Sequence, residues 1–148
     1  MPERYDTTFD PDGRVLTTRL IGVVESDDVM SWNDDLARAL DALPRGSTFA
    51  MILDLHSYSS GSIAAHKAMR TVIPDALARH GMRPAYVDLF DPRPEMVVAS
   101  RPSARCVAFA NVHRDADRMA DYEERAGKPD QRFFSDIAAA RRWIDNLS

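Results

Sequence analysis

The chain opens on alternation: Tyr5, Thr7 and Phe9 recur every second position, and residues 15–21 are rich in β-branched side chains. Asp10, Pro11, Asp12 and Gly13 supply turn chemistry between the two stretches, which predicts a β-hairpin. The period then changes. Ser26, Asp27 and Asp28 offer a cap and first-turn acids, and Val29, Trp32, Leu36, Leu40 and Leu43 recur at helical spacing until Pro44 and Gly46. Residues 49–55 form an apolar run with no polar member before Asp54. A short unbroken run of this kind suits a strand covered on both faces, with a parallel neighbour.

A second helix is predicted from Ser60 or Ser62 through His80, with a kink or restart near Ile73, where Pro74 removes a donor, and Gly81 just past its end. Residues 85–90 read as a strand, and Asp91, Pro92 and Glu95 as the start of a short helix ending before Pro102. Residues 105–110 read as a further buried strand, 113–126 as a helix closed by Gly127, and 131–134 as a short strand. Ser135 and Asp136 cap a last helix, whose stripe is Ile137, Ile144 and Leu147 and whose Arg141 and Arg142 complement its dipole. Helix and strand thus alternate from residue 26 onward. The predicted fold class is α/β, a single domain over residues 1–148 in which a mixed β-sheet is flanked by helices and led by an antiparallel hairpin. At 148 residues one core is expected, burying roughly 70% of the unfolded surface.

Composition narrows function mainly by exclusion. A net charge of −4, with both signs mixed along the chain, argues against nucleic acid, which needs a clustered basic face. No Gly-rich phosphate loop or dinucleotide fingerprint occurs, so no cofactor is predicted. His and Asp lack ligand spacing, so no metal is predicted either. The single cysteine, Cys106, lies in an apolar run and reads as core. With no apolar leader and no apolar segment of about eighteen residues, the expectation is a cytoplasmic protein without a membrane span.

Two stretches carry a family likeness. The order hairpin, helix, apolar strand ending in Asp54 and Leu55, serine-rich turn, helix resembles the STAS domain of sulfate transporters and anti-sigma-factor antagonists. Residues 105–111, a helix, then Phe134, Asp136, Ala140, Trp143 and Ile144 at that spacing resemble the ending of SpoIIAA-like proteins. The resemblance implies a non-catalytic domain that binds a regulatory protein partner or its own copy. Some relatives are proposed to bind apolar ligands, or are grouped with the SEC14-type lipid-exchange fold, which implies a small apolar molecule or lipid as the alternative cargo. In the anti-sigma-factor antagonists Asp-Ser-Ser-Gly opens a helix and its first serine is phosphorylated. Here Ser59, Ser60 and Gly61 occupy the last three places, which makes Ser59 the candidate phosphorylation site at a helix N-terminus, while Tyr58 stands in place of the aspartate and the loop is shorter.

Open α/β sheets place ligands beyond the carboxyl ends of their strands. Asp54, His56, Ser59, Ser60, Asp88, Asp91, Asn111 and His113 all lie in or just after predicted strands, so they are the candidate ligand or regulatory residues. The plain alternatives are solvated strand ends, serines that cap or turn, and an Asp88 that bonds a nearby arginine. A hydrolase built on this rim ranks last, since Tyr58-Ser59-Ser60-Gly61 is not a nucleophile elbow. His66 and His80 are expected to be exposed or capping, and Trp32, Trp143, Met30, Met69 and Met119 to face the sheet.

Overall fold

The computed structural model describes residues 4–90 and 93–147. Strands β1 (Tyr5–Asp10) and β2 (Val15–Leu20) form the expected antiparallel hairpin, in register Tyr5 with Leu20 and Asp10 with Val15. Strand β3 (Gly22–Val24) leads into helix α1 (Ser26–Asp41), then β4 (Ser47–Asp54), β5 (Tyr58–Ser60) and helix α2 (Ile63–Arg79). A 3-10 helix (Ala85–Leu89), β6 (Ala104–Val112), α3 (Ala116–Ala126), β7 (Gln131–Phe134) and α4 (Ile137–Asp145) complete the order.

The main sheet runs β1-β2-β4-β6-β7, parallel except for the hairpin, and β3 pairs with β5 in a small parallel sheet of its own. The apolar run of β4 is explained by its place between β2 and β6, where both of its faces are covered. Phe49, Met51 and Leu53 join Leu16, Leu20 and Phe109 beneath Trp32, Leu36 and Leu40 of α1 and Ile73 and Leu77 of α2. Ala50 and Ile52 point the other way, with Val15, Ala108 and Ala110, onto Ala140 and Ile144 of α4. Strand order steps in one direction from β2 to β7, so crossovers of one hand lay α1, α2 and α3 on one face and leave α4 to cover the other. One buried polar link ties α1 to the sheet: Trp32 Nε1 donates to Thr18 Oγ1 at 2.7 Å.

Several expectations are corrected. Residues 85–90 do not add a strand, because the sheet position beside β4 is already taken by β6. Pro84, which has no N–H to offer a ladder, precedes Ala85, whose N–H donates instead to the buried Gln131 side chain at 2.7 Å. Residues 93–103 contain no helix, and Asp91, its expected cap, lies outside the described residues. Helix α2 continues through Pro74 without a restart. Helix α3 starts at Ala116, later than the expected His113, with Asp115 as its cap. Met30 is 66% exposed rather than turned to the sheet. His80 does sit at the end of α2 but is buried, with Nδ1 2.8 Å from the Ala104 carbonyl.

Candidate functional site

The polar residues at the strand ends divide into structural supports and cavity walls. Asp54 closes β4; its carboxylate accepts the His56 backbone N–H at 3.0 Å and lies 3.9 Å from Arg19 Nε. Asp54 therefore holds the turn. His56 is exposed, and its carbonyl accepts from Arg114 Nη1 at 3.3 Å. Asp88 is exposed as well, paired with Arg83 at 2.6 Å and Arg93 at 3.5 Å. The hydrogen bond from Arg83 keeps its carboxyl below the usual carboxylate range. It forms a surface ion pair outside the strand-end cavity lined by Asn111 and His113.

Ser59 and Ser60 lie in a strand rather than at the start of the helix. Both belong to β5, pairing with Val23 and Val24, and neither caps α2. That helix is capped by Ser62, whose Oγ accepts the Ala65 N–H at 3.1 Å. A phosphate on Ser59 would thus not stand at the N-terminal amides of α2. Ser59 Oγ instead accepts from Arg114 Nη2 at 3.3 Å, while Arg114 Nη1 donates to the Tyr58 carbonyl at 2.6 Å. Among the described residues no serine of this turn is hydrogen-bonded to a histidine, and no three His, Cys, Asp or Glu side chains cluster to hold a metal ion.

Asn111 and His113, at and just beyond the carboxyl end of β6, line a cavity of about 380 Å³. Leu53, Leu55 and Tyr58 supply its floor at the end of β4, and His66, Met69, Arg70 and Ile73 come from one face of α2. Tyr86, Leu89 and Phe90 close it from the 3-10 segment, and Arg118, Met119 and Tyr122 from α3. The volume lies at the lower end of the range for small-molecule sites, and the position matches the strand-end rule. Aromatic contacts stiffen the wall: Tyr86 stacks on Phe109, with Phe90 and Phe133 edge-on to it.

The polar chemistry of the cavity is one-sided. Among its described lining residues there is no Asp or Glu, whereas Arg70 and Arg118 face it from opposite helices. The Arg70 guanidinium stacks 4.0 Å from the Phe90 ring centroid and has no acidic partner among the described residues. Arg118 has only a loose, exposed pairing with Asp115 at 3.8 Å. His113 Nδ1 accepts the Asp115 N–H at 3.0 Å, which leaves Nε2 as the nitrogen that carries the proton. Burial, then the nearby Arg118 and Arg114 charges, push its pKa down, so the ring is held neutral. The Tyr58 hydroxyl is buried without a hydrogen-bond partner. Burial pushes its pKa up, and the Ser60 hydroxyl, which makes no hydrogen bond of normal geometry to it, opposes the shift.

Of the described residues expected at the site, then, only Asn111 and His113 reach the cavity. Tyr58, His66, Arg70 and Arg118 were not among them. Residues 66, 69, 70 and 73 share one helical face, a legible signal, but two of the four are polar and read as solvated.

No family model matches the chain, and no curated protein matches it. Among solved structures it is similar to an uncharacterised protein of the DUF3478 family with a SpoIIAA-like fold from Shewanella loihica PV-4. The two share 12% identity at a TM-score of 0.54, over 95% of this chain and 91% of the other. Identity this low speaks for architecture alone, and the sheet order, the four helices and this likeness agree that the chain has a SpoIIAA-like α/β fold.

Proposed function

We propose that this protein is a non-catalytic small-molecule-binding domain, taking an apolar or amphipathic ligand at the carboxyl ends of β4 and β6. The observation that carries the reading is the cavity itself: about 380 Å³, walled mainly by aromatic and aliphatic side chains at the carboxyl ends of the strands. Ligand binding is preferred to partner binding because the cavity supplies a built site for a small molecule, whereas Ser59 lies in β5 and Ser62, not Ser59, caps α2. It ranks ahead of hydrolysis because the serines of the turn have no base to activate them among the described residues.

The test uses N-phenyl-1-naphthylamine, a neutral apolar fluorophore. Saturable one-to-one binding is expected for the wild type and its loss for Met69→Trp, which fills the cavity, provided circular dichroism shows Met69→Trp still folded. Absence of saturable binding by the wild type would overturn the proposal. Native mass spectrometry of freshly purified protein, before and after organic extraction, gives an independent reading of any ligand carried through purification.

A further inference from the structure

Resting on that reading, we infer that the cavity is selective for an amphipathic oxyanion: a small organic acid with one carboxylate or comparable oxyanion on an apolar body. The molecule as a whole is acidic, at −4, yet the described cavity lining holds two arginines and two histidines and no carboxylate. That local inversion of charge is what a ligand anion would meet. The two guanidiniums come from α2 and α3; among the described residues Arg70 has no ion pair, and Arg118 has only the exposed 3.8 Å pairing with Asp115. Arg70 is held in place by Phe90 rather than by a salt bridge, so its donors stay available for a planar oxyanion.

The neutral donor points to the same chemistry. His113 can offer only Nε2–H, because its Nδ1 is occupied by the Asp115 N–H. Leu53, Leu55, Met69, Ile73 and Met119 provide room for an acyl or aromatic body. Cationic side chains, a neutral imidazole donor and apolar walls gathered in one cavity fit an amphipathic acid. A neutral lipid would use the walls and leave the Arg70 guanidinium without an oxyanion.

The experiment compares N-phenyl-1-naphthylamine with 1-anilinonaphthalene-8-sulfonate, which has the same skeleton plus one sulfonate. The anion is expected to bind at least about tenfold more tightly, although it is the less apolar probe, in line with the added worth of a charge-assisted hydrogen bond. The double variant R70M/R118Q should bring the two probes level, while R70K/R118K keeps part of the preference. Displacement of the neutral probe by decanoate but not by decanol would extend the preference from sulfonate to carboxylate. Equal affinities in the wild type, or a preference that survives R70M/R118Q, would overturn the anion assignment while leaving the small-molecule reading intact. Failure of both probes to bind would overturn the small-molecule reading itself. Sedimentation with phosphatidylglycerol vesicles, without any response to decanoate, would overturn the assignment to a free acid in favour of a membrane headgroup.

Discussion

Tyr58 concentrates a cost to stability in one atom. Its ring is buried at the cavity floor, and its hydroxyl has no hydrogen-bond partner. Tyr58→Phe should therefore stabilise the ligand-free protein by about 1 kcal/mol in urea unfolding, because it removes an unsatisfied buried donor. His113 supplies a second residue-level expectation. Its folded pKa lies below the ordinary 6.5, chiefly through burial, with Arg118 and Arg114 adding to the effect and Asp115 opposing it. The unfolded chain thus binds the extra proton first. This contribution to stability is present above about pH 6.5, falls as pH drops from there through the lower folded value, and levels off below it. Urea unfolding between pH 5 and 8 should show that slope, and His113→Gln should flatten it.

Among elements, the short path from β4 to α2 shows how neighbouring serines take different duties. Ser62 bonds the first turn of α2, whereas Ser59 has only one long contact to Arg114. Ser62→Ala should cost about 1 kcal/mol in urea unfolding. Ser59→Ala should stay within about 0.5 kcal/mol. Equal losses would mean that capping is not what distinguishes them. The segment from Ala85 to Leu89 makes a complementary point. Its β-rich sequence would suit a strand, but Gln131 accepts the Ala85 N–H at 2.7 Å and donates to the Arg83 carbonyl at 3.0 Å, pinning the segment against β7 as a 3-10 helix. Local propensity lost here to a side chain far along the sequence, a competitor that no local window contains.

For the whole molecule, ligand binding and stability are one equilibrium. A ligand that binds only the folded state, supplied at one hundred times its Kd, should add about 2.7 kcal/mol, or about 5–10 °C in Tm for a chain of this size. N-Phenyl-1-naphthylamine in a thermal melt checks this, and Met69→Trp should erase the shift. Sequence alone determined which faces are covered. The period of Val29, Trp32, Leu36 and Leu40 and the unbroken run of β4 each report burial of one element, and burial on both faces implies parallel neighbours with helices above and below. The terminal spacing of Phe134, Asp136, Ala140, Trp143 and Ile144 likewise carried the SpoIIAA-like architecture. The cavity was settled only by tertiary structure. Periodicity says that a face is covered but not how much volume remains between the covers, and Tyr58, Arg70, Asn111 and Arg118 come from four elements that meet only when α2, the 3-10 segment and α3 settle over the sheet.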